Sequence, residues 1–242
     1  MQQSLSEKRF LGPIILALGL FFAGLLPGYF YYSSKFDNNT VTVKGLAEQD
    51  VVSDLAIWKI KFVATGNDLV ATKSSIEQQT NAIVAFLKDN GFEDAEIESG
   101  QLETHDVMAD AYRSEPVNTR FILTKTMFLR STKVNDVASA FAKTGDLINQ
   151  GVVFDNEYMF PVSYIFTGLN AIKPQMLELA TKNAHEAALE FAKSSNSHVG
   201  KIHKANQGVF SILPRDETNM SDASQQINKK VRVVSTIEYY LD

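Results

Sequence analysis

Glu103, His105, Asp106 and Asp110 bring an imidazole and three carboxylates into eight consecutive positions, with Asp94, Glu96 and Glu98 just upstream. These are the side-chain types of a divalent-metal site. In an extended segment alternate residues share a face, so Glu103 and His105 point together while Asp106 points away. Two ligands do not make a site, and no third of the right type is nominated elsewhere. A solvated hairpin edge accounts for the same residues, and no metal is expected. His185, His198 and His203 are dispersed, and the chain contains no H-E-x-x-H pattern, no G-x-S-x-G elbow and no phosphate-cradling glycine loop. Without a nucleophile, a base and an orienting group as a set, the chain is expected not to be an enzyme, with no catalytic residues and no cofactor.

A second group has a different chemistry. Tyr158, Phe160, Tyr164 and Phe166 occupy even positions of one extended stretch. An aromatic row of this kind lines a groove for an apolar or aromatic ligand, and these four are the candidate ligand-binding residues. The buried face of a sheet produces the same pattern.

The elements that must position these groups follow from periodicity. Thr40 to Ala47 and Ala56 to Val63 alternate apolar and polar residues, as strands do. Asp68 to Lys88 changes to helical spacing, with Asp68 placed to cap it and Asn90-Gly91 to stop it. Glu96 to Val107 and Arg120 to Arg130 alternate again, a hairpin joined by a polar loop. Val134 to Ile148 reads as a helix with Val137, Ala138, Phe141 and Ala142 inward. Val152 to Phe154 and Tyr158 to Thr167 are extended. Lys173 to Ser194 is the longest helix, with Leu177, Ala180, Ala184, Ala187, Ala188 and Phe191 as its apolar stripe. Val199 to Ile212 and Val231 to Leu241 close the chain as strands. Between them runs a polar loop, Pro214 to Asn228, which is either a mobile connection or a contact arm in an assembly. The order ββαββαβαββ is α+β, mostly antiparallel, with helices on one face of the sheets.

Phe10 to Phe30 is a run of 21 residues without a charge, flanked by Lys8-Arg9 and Lys35. As a helix it would span roughly 30 Å, the hydrocarbon thickness of a bilayer. Tyr29, Tyr31 and Tyr32 fall at the headgroup layer, and Lys8-Arg9 favours a cytoplasmic N-terminus. Gly24 and Gly28 have the spacing that brings two membrane helices together. The expected organisation is a cytoplasmic arm over 1–9, a single-pass anchor in the inner (plasma) membrane over 10–32, a linker over 33–40, and a periplasmic domain over 41–242. A cleaved signal peptide is the competing reading, against which stands the lack of a small-x-small site after the run. With no cysteine there is no disulfide and no lipid-modified thiol. Leaving out Glu7, Lys8, Arg9 and Lys35, 27 acids oppose 20 bases, a formal charge of −7. Nucleic acid is excluded as an expected partner, because phosphate backbones are bound by clustered Lys and Arg.

Several short motifs resemble one known family. VTVKGLAE from Val41 followed by VVSDLAIWKIKF from Val51 resembles the "V-x-G-x-g-E … PD-x-A" opening of the SIMPL-domain family of bacterial cell-envelope proteins. Leu87-Lys88-Asp89-Asn90-Gly91-Phe92 with Ala95-Glu96-Ile97 is similar to its "L-x-x-x-G-i … d-I" block. Gly151-Val152-Val153-Phe154 is similar to "G-v-x-F", and the alanine-rich helix leading into His198-Val199-Gly200-Lys201-Ile202 to "A-x-x-x-A … lG-x-i". Ser53 stands where the family pattern has proline. The family includes oxidative-stress-defence and periplasmic immunogenic members. The resemblance implies a two-lobed α+β domain that assembles into large rings, hence a homo-oligomer, and it implies no catalytic residues. The expected function is that of a non-enzymatic, membrane-anchored envelope protein acting by self-assembly or partner contacts, with a role in envelope or oxidative-stress defence. A periplasmic small-ligand binding module is the alternative.

Overall fold

The computed structural model describes residues 16–21, 23–29, 31, 39–109, 118–155, 162–216 and 222–242. Residues 16–21, 23–29 and 31 are helical. Part of the expected anchor over 10–32 lies outside the described residues, and among those described no helix is long and apolar enough to cross a membrane.

The order is β1 (Thr40–Val52), β2 (Leu55–Gly66), α1 (Leu69–Asp89), β3 (Ile97–Asp106), β4 (Phe121–Ser131), α2 (Val134–Ala142), α3 (Gly145–Asn149), β5 (Val162–Ile165), α4 (Leu169–Ser195), β6 (Val199–Gln207), β7 (Ser211–Pro214) and β8 (Asn228–Leu241). The architecture is α+β, with antiparallel sheets of order β1-β8-β6, β7 also pairing with β8, and β3-β4-β2-β5. Two expected elements are each divided. The helix over 134–148 breaks at Lys143 and Thr144, and the strand over 199–212 breaks at Gly208-Val209-Phe210. The observed order is therefore ββαββααβαβββ. The chain forms two compact units, one from residues up to Leu46 with Glu178–Gly208 and Val234–Asp242, the other from Ala47–Leu177 with Val209–Val233.

The larger unit is built on β2. Ala56, Trp58, Ile60, Phe62 and Ala64 alternate inward along it, and all five are buried. Against them pack Leu123, Met127 and Leu129 of β4 and Ile76, Ile83, Phe86 and Leu87 of α1. Each such side chain, removed from water, contributes about 1.5–3 kcal/mol before conformational entropy is charged against it. Helix α1 starts where expected. The Asp68 carboxylate accepts from the Ala71 N–H at 2.7 Å, and Gly91 follows the helix at φ +87°, a left-handed position suited to glycine. Gln79 is buried in this helix and faces β2. Its amide donates to the Val63 carbonyl and accepts from the Val153 N–H, both at 3.1 Å.

In the smaller unit, α4 lies on the sheet through alanine. Ala180, Ala184, Ala188 and Ala192 are buried at intervals of four, with Val43, Ile237 and Tyr239 against them. Gly45 allows the closest approach, since a Cβ there would sit 2.8 Å from the Ala184 Cβ. The stripe differs from the expected one at its end. Phe191 is exposed and Ala192 is buried, because the four-residue spacing continues unbroken to the helix terminus. In α2 Val134, Val137 and Ala140 are buried and Ala138 packs against the same core; Phe141 is 38 % exposed but sets its ring edge-on to Trp58 at 5.6 Å, and Ala142 at the helix end is exposed.

Candidate functional site

The acidic and histidine residues of the first candidate group lie on β3. Glu103 pairs with Thr124 and His105 with Ile122 of β4, and both side chains are exposed. Asp106 is engaged elsewhere. The Arg120 guanidinium donates from Nε and Nη2 to both its carboxylate oxygens, at 2.9–3.2 Å. That contact holds the Asp106 carboxyl below the usual range and raises Arg120. It closes the hairpin at its loop end, where Val107 N–H also bonds the Arg120 carbonyl. Asp110 lies outside the described residues. Among the described residues no three His, Asp or Glu side chains come together to hold a metal ion.

Of the aromatic row, Tyr158 and Phe160 lie outside the described residues. Tyr164 is in β5, opposite Ala56 of β2, and its side chain joins the core. Burial raises its phenol above the usual value. Phe166 is half-buried just past the strand, its ring beside Gly168. Tyr164 therefore fills the interior and presents no groove wall.

What β3 offers instead is an edge. Among the described residues it is the last strand of its sheet, and all its residues but Ile97 and Asp106 are exposed, so both faces meet solvent. Its free charges are acidic, Glu98 and Glu103, with Leu102 exposed between them. Ser99 and Leu102 bracket a register shift that bends the strand at Gly100. Just before it, the Glu96 carboxyl, which burial alone would raise, is held low by hydrogen bonds from the Ser131 side chain, the Glu93 N–H and Lys133.

β6 is the counterpart in the other sheet. Among the described residues it pairs only with β8; it ends the order β1-β8-β6 and is exposed from Lys201 through Gln207. Its charges are basic, Lys201 and Lys204, and Ile202 is 51 % exposed between them. His203 accepts through Nδ1 or donates to the Tyr240 hydroxyl at 2.5 Å, and the rings meet edge to face. This second edge was hidden in sequence, where Val199 to Ile212 reads as one strand of unknown position in the sheet. The signal available was the lack of alternation in Lys201-Ile202-His203-Lys204, which suits a strand with no buried face.

Open edges with inward or outward charge and bulges are how sheets resist indiscriminate pairing. Here the two edges carry opposite sign. Like charge disfavours β3 against β3 and β6 against β6, and opposite charge favours one against the other.

A family model described as SIMPL, protein of unknown function (DUF541), matches residues 41–239. No curated protein matches the chain.

Proposed function

This chain belongs to the SIMPL family, and we propose that it is a non-enzymatic envelope protein that works by self-assembly, the acidic β3 edge of one copy taking the basic β6 edge of the next. A contact between two different surfaces is heterologous, so it generates closed rings or open filaments and not simple dimers. The observation that carries this reading is the pair of terminal strands, each exposed on both faces and of opposite charge. Strand addition supplies main-chain hydrogen bonds for affinity, and the charges supply register.

The same reading places the apolar segment 10–32 as a single-pass anchor, with the domain on the periplasmic side. A tether raises the local concentration of the domain at the membrane surface and so favours assembly without any added contact. A protective role in oxidative stress rests on resemblance to other family members. Light scattering on the portion from Lys35 onward tests the assembly. The expected mass is a multiple of the monomer; a monomer that binds a metabolite would favour the small-ligand module instead.

A further inference from the structure

Lys229 is 2 % exposed, among the largest fully buried side chains of the chain. Its position in β8 is in phase with the inward residues Val231 and Val233, so the strand drives an amine into the interior. Its Nζ donates to the carbonyl of Ala223. Burial pushes the ammonium below its usual value, with Asp222 acting in the opposite sense. Asp222 is not bonded to it: the carboxylate accepts instead from the Ser224 N–H at 2.8 Å.

Two polar groups on neighbouring segments lack partners. The Ser53 hydroxyl and the Gln225 Nε2 are both buried without a hydrogen bond. Ser53 lies in the turn between β1 and β2, and its N–H donates to the Ile227 carbonyl at 2.8 Å. That bond sets Ser53 against the segment between Gln225 and Lys229, and the Lys229 amine folds back onto Ala223 at the start of the same segment. Buried donors without partners are rare in folded proteins, and each requires a water, an ion or a ligand. A buried amine needs an acceptor of opposite charge to remain protonated.

We propose that Lys229, Gln225 and Ser53 form a binding site for a small oxyanion, a carboxylate or a phosphate group. The donors match such a group: an ammonium, a carboxamide NH2 and a hydroxyl, with Asp222 held away by its bond to Ser224. The bound anion supplies the charge that Lys229 lacks and the acceptors that Ser53 and Gln225 lack. The site is independent of assembly, since none of its residues is on β3 or β6.

The test uses the full chain. Its thermal midpoint is followed while sodium acetate or sodium phosphate is added, against sodium chloride at equal ionic strength. The expected result is a saturable rise with one or both oxyanions, and at least a tenfold weaker apparent affinity in Lys229→Met and in the less disruptive Gln225→Leu. A response to acetate alone identifies a carboxylate ligand, and a response to phosphate identifies a phosphate group. No oxyanion-specific rise, or the same rise in the chain and in both variants, overturns the proposal. So does a high-resolution structure from acetate or phosphate that shows only a water between Ser53 and Gln225.

Discussion

Gln79 is a vulnerable point of the larger unit's interior, because one buried amide serves two backbone groups. Its Nε2 donates to Val63 of β2 and its Oε1 accepts from Val153, while the Val63 N–H bonds the Val153 carbonyl directly at 2.8 Å. Gln79→Leu keeps volume but leaves a part-buried N–H and a part-buried carbonyl unpaired. Each orphaned group costs about 1–3 kcal/mol, and the added apolar burial returns part of that, so a net loss of roughly 2–4 kcal/mol is expected. Against a domain stability of about 5–15 kcal/mol that is a large fraction. Urea unfolding of the chain should show a lower midpoint with an unchanged slope. Gln79→Glu adds a pH signature. The introduced carboxyl can donate to Val63 only when protonated, and burial disfavours its charge, so its folded pKa is raised above the unfolded value. Its stabilising contribution is then present below the unfolded pKa and is lost as pH rises through the folded one. If Gln79→Leu changes stability by less than about 0.5 kcal/mol, the bridging role assigned to this amide is wrong.

Gly45→Ala should disrupt the smaller unit, because the new Cβ would lie 2.5 Å from the Ala184 nitrogen and 2.8 Å from its Cβ, both on a helix that cannot yield locally. A loss of about 3 kcal/mol or more is expected, read as a fall in thermal midpoint, and a neutral result would refute the close strand–helix contact. Asp106, held low first by its hydrogen bonds to Arg120, contributes to closing the β3–β4 hairpin only while ionised. Its contribution is present above the unfolded carboxylate pKa and is lost as pH falls through the depressed folded value, so hydrogen-exchange protection of Val107 should drop on acidification and be low at all pH in Asp106→Asn. Alkaline carbonate extraction of membranes should leave the protein in the pellet, and its recovery as a shortened soluble chain would establish a cleaved leader.

The periodic elements were legible because their physics is local. Asp68 and Asn90-Gly91 bounded α1 correctly, since a cap and a left-handed stop need no tertiary partner. The alternation of β2 held because one of its faces is buried along the whole strand. What failed depended on distant contacts. Phe191 looks like a core residue by composition, yet it sits beside a stripe whose spacing selects Ala192, whereas Phe141 does reach the core with its ring edge-on to Trp58. The candidate groups were separated for the same reason. Asp106 points away from Glu103 and His105 by strand alternation alone, but that Arg120 across the hairpin pairs with it needs the register of β4. For Tyr164 the alternating pattern leaves groove wall and buried sheet face open, and its register opposite Ala56 selects the buried face. Lys229, between Asn228 and Lys230, reads as solvated until the phase of β8 is fixed by Val231 and Val233.

The direct test of β3–β6 assembly uses the absence of cysteine, which makes any introduced thiol unique. Chains carrying Glu98→Cys or Glu103→Cys in β3 are mixed with chains carrying Lys201→Cys or Lys204→Cys in β6 and oxidised gently. Disulfides form only where Cα atoms come within about 7 Å, so a product reports strand adjacency. Mixed dimers should exceed both homodimers, and a chain bearing one thiol on each strand should give a ladder of higher species. Homodimers in equal or greater yield, or no cross-linked product at any pair of positions, would contradict the account.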